Sequence, residues 1–192
     1  MRVLDLFSGR GGWSKVFRER GHQVDTLDIA DQFAPTYCTS IIGWHPEKKY
    51  DVVLASPPCT EFSKSSMPWY KNIEPDMTLL EETLRVIIEA DPKYYVIENV
   101  RGAVPYFTEI LGPPVARFGS RYLWGDFPIL WAPHVYGKWK LPPSPERAAL
   151  RAEIPRALSR AMCRSIETFY VESVELEGAG TMVQTVANEA LK

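Results

Sequence analysis

With 192 residues, 45% of them apolar and 24% charged, the chain is long enough for one buried core and has the balance of a globular domain rather than a disordered one. A net charge of -2 lacks the basic excess of a protein that simply coats nucleic acid, so any such contact must be a local patch. Three widely spaced cysteines (Cys38, Cys59, Cys163) without a CxxC pair, three histidines (His22, His45, His134) without ligand spacing, and no apolar run of bilayer length argue against a disulfide framework, a metal site and a membrane span, and for a reduced, cytoplasmic setting.

Arg2 to Phe7 is an apolar run that predicts a strand. It enters Ser8-Gly9-Arg10-Gly11-Gly12, followed by a helix with Trp13, Val16 and Phe17 on one face and Gly21 at its end. Because the run starts at the first residues, no leader peptide is expected. Strand, glycine turn and helix together let backbone N–H groups approach a ligand closely. Gln23 to Ile29 predicts a second strand with Asp28 at its end. An acid about 20 residues past such a turn is placed to accept hydrogen bonds from ribose hydroxyls, so a cofactor containing a nucleoside is expected.

Cys38 to Gly43 reads as a short third strand, and Tyr50 to Ala55 as a fourth. The fourth must stop at Ser56-Pro57-Pro58, because prolines cannot donate to a sheet ladder. Cys59 follows at once, a thiol on a stiff loop at the carboxyl end of a strand, where open α/β sheets place their chemistry. Residues 64–75, with Trp69, Tyr70 and Lys71, read as a long polar and aromatic loop. Met77 to Ala90 predicts a helix whose buried face is Leu80, Leu84, Ile87 and Ile88.

Lys93 to Val100 predicts a fifth strand ending in Glu98-Asn99, an acid and an amide at the tip of a buried strand. A helix is expected over residues 103–110. Val115 to Gly125, with Gly119-Ser120 between apolar stretches, predicts an edge hairpin flanked by Arg117 and Arg121. Residues 126–147 interleave Trp131, His134, Tyr136, Lys138, Trp139 and Lys140, which suits bases and phosphates as well as a surface loop. Ser144-Pro145 and Pro155 each open a helix, the second with Leu158, Met162, Ile166 and Phe169 on one side. The expected organisation is one domain over residues 1–172, including a reduced recognition segment (126–146) and closing helices (147–170), then a tail over 173–192.

Three of these stretches together resemble the cytosine-5 DNA methyltransferases. Asp5 to Gly12 (DLFSGRGG) is similar to their cofactor motif, Ser56 to Ser63 (SPPCTEFS) to their Pro-Cys loop, and Glu98-Asn99-Val100 to their Glu-Asn-Val motif. Ile154-Pro155 through Met162 is similar to their closing helix, and the likeness is to the short, phage-type members. The resemblance implies a Rossmann-like α/β fold, with a mostly parallel sheet and an antiparallel edge hairpin. It implies S-adenosylmethionine held by Phe7, Ser8, Gly9, Gly11, Gly12, Trp13, Asp28, Ile29 and Pro57. It implies Cys59 as nucleophile, with Glu98 on the cytosine and Arg121 assisting. Pro58, Ser63, Asn99, Val100 and Arg117 would contact the substrate. DNA is the expected partner, with RNA or a free pyrimidine nucleotide as alternatives, and a catalytically silent accessory protein as a third reading.

Elementary chemistry asks for the same groups. Carbon 5 of cytosine is a poor nucleophile until a thiolate adds at carbon 6 and makes the ring an enamine. A carboxyl group at ring nitrogen 3 and the exocyclic amine stabilises the charge that builds up. The sequence also departs from the family. Thr60 stands where Gln is common, and Thr39 or Ser40 where an acid is expected. The Gln-x-Arg-x-Arg hairpin motif is not intact, and residues 126–146 replace a large recognition region. A partner or a second copy that supplies specificity is therefore expected.

Overall fold

The computed structural model describes residues 1–64, 74–128 and 153–170. Among them, seven strands form one sheet: β1 (Arg2–Leu6), β2 (Gln23–Asp28), β3 (Tyr37–Cys38), β4 (Val52–Ala55), β5 (Tyr94–Val100), β6 (Ala116–Phe118) and β7 (Arg121–Asp126). Their order is β3-β2-β1-β4-β5-β7-β6, with β7 antiparallel to both of its neighbours and the other pairs parallel. The helices are α1 (Ser14–Glu19), α2 (Thr60–Lys64), α3 (Thr78–Ala90), α4 (Val104–Leu111) and α5, described over residues 156–170. The expected mixed α/β sheet with an antiparallel edge hairpin is what forms.

Alternation along the central strands builds two apolar layers. Leu4, Leu6, Val53, Ala55 and Ile97 face α3 and α4, meeting Leu80, Val86 and Phe107. Val3, Val52, Leu54, Val96 and Leu123 face the other way, onto Val16 and Phe17 of α1 and Leu158 and Met162 of α5. Strands covered on both faces read as unbroken apolar runs, which is why VVLA is fully buried. Each such Val, Leu or Ile side chain, fully withdrawn from water, contributes about 1.5–3 kcal/mol.

Three local expectations shift. The third strand is Tyr37–Cys38, not residues 38–43, because Ile41 turns inward to the core and leaves the ladder. On α3 the buried set is Leu80, Thr83, Val86, Ile87 and Ala90, so Ile88 faces solvent. Val86, not Ile88, lies on the arc that completes the 80, 83, 87, 90 stripe. Phe169 is likewise exposed, unlike Leu158, Met162 and Ile166. The helix at Ser144-Pro145, most of the 64–75 loop, the 126–147 segment beyond residue 128, and the tail lie outside the described residues.

α5 is fastened to α1 by polar contacts as well as packing. The Ser159 hydroxyl donates to the Trp13 carbonyl at 2.9 Å. Arg20 donates to Glu167 at 2.8 Å, and His22 Nε2 lies 2.9 Å from the same carboxylate. Cys163 is buried beside this group, and burial pushes its thiol up to about 12. No helix among the described residues is long and apolar enough to cross a membrane.

Candidate active site

The strand order reverses between β1 and β4, so the loops after these two strands lie side by side at the carboxyl edge of the sheet. The glycine turn leaves β1 there, and the Pro-Pro-Cys loop leaves β4. β5 ends next to β4 and delivers Glu98 and Asn99 to the same edge.

The turn is held in an uncommon backbone shape. Phe7 has φ 58° and Gly9 φ 46°, and a left-handed phenylalanine is rare outside sites where the surroundings enforce it. Ser8 N donates to the Leu27 carbonyl at 3.1 Å and Gly9 N to Asp28 Oδ2 at 2.7 Å. Asp28 Oδ1 also accepts the Ala30 N–H at 2.9 Å. Asp28 thus anchors the turn, while a carboxylate with about four acceptor directions keeps capacity for a ligand. Ile29 beside it exposes 76% of its surface. An open cleft of about 390 Å³ borders the turn, lined by Ser8, Gly9, Gly11, Arg18, Thr26 and Phe33 among others.

Two residues expected at the cofactor are turned elsewhere. A Cβ on Gly12 would lie 2.6 Å from the Ile154 nitrogen, so Gly12 is needed for the approach of the closing segment. Trp13 is only 1% exposed and belongs to the apolar layer with Val3, Leu54 and Leu158. Its indole N–H donates to Ser56 Oγ at 3.1 Å.

Asp5 was not singled out in the sequence. It is 1% exposed, and its Oδ2 accepts the Ser14 N–H at 3.1 Å, tying β1 to the start of α1. Burial pushes its carboxyl from the ordinary 3.8 up to about 7. The fold therefore favours protonated Asp5, a contribution present in full below the ordinary value and lost as pH rises through about 7. Asp5→Asn keeps an acceptor for Ser14 and cannot ionise. Its stability relative to the parent should grow from near zero at low pH to at most about 4 kcal/mol above neutrality, at ~1.4 kcal/mol per pH unit. Urea denaturation of both proteins at several pH values checks this, and a constant difference across pH would refute it.

After the fully buried β4, Ser56 N makes a last ladder bond to the Leu6 carbonyl at 3.3 Å. Pro57 is buried and Pro58 exposed. Cys59 is half-buried, and its carbonyl accepts the Ser63 N–H at 2.9 Å as α2 begins. Phe62 pins this turn edge-on against Phe107, ring centres 5.1 Å apart. Asn99 holds the other side: its Nδ2 donates to the Pro57 carbonyl at 3.1 Å and its Oδ1 accepts the Val100 N–H at 2.8 Å. Asn99 is 1% exposed, so its amide shapes the loop instead of meeting a substrate as expected. Ser63 is exposed on α2, and Val100 is partly buried.

Glu98 is 4% exposed and pairs with Arg121, whose Nη1 donates to Glu98 Oε1 at 2.9 Å. The second nitrogen of Arg121 donates to the Glu153 carbonyl at 2.7 Å. Burial pushes the Glu98 carboxyl up, while the charge and hydrogen bond of Arg121 act against that rise. Arg117 is not part of this group. It pairs in register with Tyr122, which pairs with Asn99, so it lies on the opposite face of the sheet from Glu98. Its guanidinium stacks over Tyr122 at 5.2 Å and donates to the Gly119 carbonyl at 2.8 Å. Sequence reasoning also missed Glu153, whose side chain pairs with Arg10 at 3.5 Å and Lys15 at 3.7 Å of the turn and helix. Proximity to Pro155 gave no sign of it.

The family model described as C-5 cytosine-specific DNA methylase matches residues 1–106. A Frog virus 3 protein named as a probable DNA (cytosine-5)-methyltransferase is 32% identical over 117 residues, 52% of this chain and 53% of that protein. The type II methyltransferase M1.HphI of Haemophilus parahaemolyticus is 30% identical over 120 residues, 52% of this chain and 32% of that one. Among solved structures, the Entamoeba histolytica methyltransferase EhMeth is similar over 65% of this chain and 52% of its own, with TM-score 0.45 and 19% identity. The aligned region thus spans about half, or less, of each of these relatives.

Proposed function

This chain belongs to the C-5 cytosine-specific DNA methylase family, and from that premise we propose that it methylates carbon 5 of cytosine in DNA through a transient bond from Cys59. The observation that carries the reading is the meeting of three loops at one sheet edge: the glycine turn, the Cys59 loop, and the Glu98–Arg121 pair. The left-handed turn, the acceptor capacity of Asp28 and the exposed Ile29 fit S-adenosylmethionine. Phe7, Ser8, Gly9, Gly11, Asp28, Ile29 and Pro57 would hold it. When bound, S-adenosylmethionine supplies an electrophilic methyl group.

The residues of the chain do the remainder. The Cys59 thiolate adds to carbon 6 of the ring and pushes electron density towards carbon 5. Glu98 shares a proton with ring nitrogen 3, and its raised proton affinity suits that role. Arg121 holds Glu98 and would also donate to the ring carbonyl. Once carbon 5 carries the methyl group, loss of its proton to a base lets the carbon–sulfur bond break and restores the thiolate. A cytosine within duplex must leave the stack first. A DNA-reading partner or a second copy of the chain belongs to the proposal, since residues 126–146 are a short segment for reading bases.

DNA containing 5-fluorocytosine is the direct test. Fluorine cannot leave carbon 5 as a proton does, so the carbon–sulfur bond should persist and a denaturation-resistant adduct should form with labelled cofactor. Running duplex DNA, single-stranded DNA, RNA and dCMP in parallel identifies the substrate. Absence of both adduct and label in all four would refute the reading.

A further inference from the structure

Where α5 is fastened to the turn between α1 and β2, three metal-competent side chains meet. Among the described residues, His22, Cys163 and Glu167 form one group whose ligand atoms all lie within 4.8 Å of one another. Cys163 and Glu167 are one helical turn apart, so α5 presents both on one side. His22 comes from the turn just before β2, and its Nε2 lies 2.9 Å from Glu167 Oε1. Its backbone N–H donates to the Phe17 carbonyl at 3.1 Å, and its ring leans on Phe17 with centres 5.8 Å apart, so α1 helps to set its direction. Ligand spacing along the chain does not reveal this group, because His22 and Glu167 are 145 residues apart.

We propose that His22 Nε2, Cys163 Sγ and Glu167 Oε1 bind one thiophilic divalent cation of the zinc class, which staples α5 to the α1–β2 turn. A thiolate, an imidazole and a carboxylate are a donor set that such an ion selects. Tetrahedral bonds of about 2.0–2.3 Å put ligand atoms roughly 3.3–3.6 Å apart. The His22–Glu167 contact therefore widens by about half an ångström, and the other pairs lie within side-chain adjustment of the same spacing. On binding, the Cys163 S–H bond gives way to a sulfur–metal bond, the proton passes to solvent, and His22 binds as neutral imidazole. Water completes the shell on the side where the His22 and Glu167 side chains are 12% and 21% exposed, while Cys163 is fully buried. Arg20 is the other cation here, and its Nε donates to both Glu167 oxygens at 2.8 Å. With the ion on Oε1, Arg20 keeps Oε2 and holds the ligating carboxylate from outside. The two anionic ligands cancel the charge of the ion, so Arg20 faces a neutral cluster and not a dication. The group precedes β2, at the opposite sheet edge from Cys59 and Glu98, and takes no part in their chemistry. Its use is to hold α5, whose leading residues Glu153 and Ile154 reach Arg121 and Gly12. The proposal is independent of the methyl-transfer reading.

The test is a titration of the full, reduced chain with Co²⁺ and then Zn²⁺. One Co²⁺ per chain should give a sulfur-to-cobalt charge-transfer band and d–d bands of tetrahedral intensity, and Zn²⁺ should abolish them. The charge-transfer band should vanish in Cys163→Ser and persist in Cys38→Ser and Cys59→Ser. His22→Gln and Glu167→Gln should each weaken Co²⁺ binding by about tenfold or more. Zn²⁺ at about 100 times its Kd should raise the melting temperature of the parent by roughly 5–10 °C and leave that of His22→Gln unmoved at the same concentration. If Cys163→Ser does not fold, X-ray absorption of the Zn²⁺-loaded parent decides the ligands: one sulfur at about 2.3 Å and nitrogen or oxygen at about 2.0–2.2 Å are expected. Absence of the charge-transfer band in the parent would overturn the proposal and leave the group as an ion pair beside a buried thiol. A band that survives in Cys163→Ser, a zinc shell without sulfur, or parental affinity in both His22→Gln and Glu167→Gln would overturn it as well. None of these measurements needs turnover, so their failure and the failure of methyl transfer are read separately.

Discussion

Replacing Cys59 with alanine should lower methyl transfer to cytosine by at least about 10³-fold while leaving S-adenosylmethionine binding within about twofold of the parent. The loss is large because the thiolate changes the reaction and does not merely assist it: without an adduct, carbon 5 never becomes nucleophilic. The binding should survive because Cys59 does not build the turn. Gly9 is held by Asp28 and Ser8 by Leu27, both on β2. Nor does the side chain support the loop, which is fixed by Asn99 on the Pro57 carbonyl and by Phe62 on Phe107. Calorimetric cofactor titration alongside a methyl-transfer assay checks both halves. Activity retained in Cys59→Ala would remove the thiol from the mechanism. Loss of both activity and binding would mean that Cys59 has a structural role the contacts do not show.

Glu98 should separate chemistry from stability. Glu98→Gln keeps the volume and one accepting oxygen for Arg121, so its melting temperature should stay within a few degrees of the parent, on the scale of about 2–4 °C per kcal/mol for a chain of this size. Its methyl transfer should nonetheless fall by about 10²-fold or more, because the amide cannot transfer a proton to ring nitrogen 3 as a carboxyl group does. Glu98→Ala should lose activity to a similar degree and also stability. Glu98 and Arg121 side chains are 6% and 12% exposed, and breaking a buried pair from one side costs about 3–5 kcal/mol. That corresponds to a drop of roughly ten degrees. The two variants together form the check: equal activity losses with unequal melting temperatures are expected. Equal melting temperatures would mean that the pair contributes little to the fold.

Much of the active edge could be read in one dimension. Proline fixes where β4 ends, so Cys59 had to stand at a strand tip. Four apolar residues before Glu98-Asn99 placed an acid where a charge is costly, and that cost marked it. Asp28 could be placed from its distance to the turn, and it does reach the turn, at Gly9 N. The hairpin at Gly119-Ser120 was visible from its composition and forms between Phe118 and Arg121. Helix faces were read less well, because a 100° step per residue makes neighbours such as Val86 and Ile88 compete for the same edge of the buried arc.

What the sequence determined by itself was the set of strands, the carboxyl ends of β1, β2, β4 and β5 and the residues those ends carry, since apolar alternation and proline act over a few residues. The tertiary structure decided which of those residues work together. Arg121, not Arg117, meets Glu98, because strand pleating puts register neighbours of Asn99 on the opposite face. Asn99 turns to Pro57 across 42 residues of sequence, Gly12 makes room for Ile154, and Trp13 reaches Ser56 across 43. Such contacts depend on strand order and layer packing, and no local pattern of residue types encodes either.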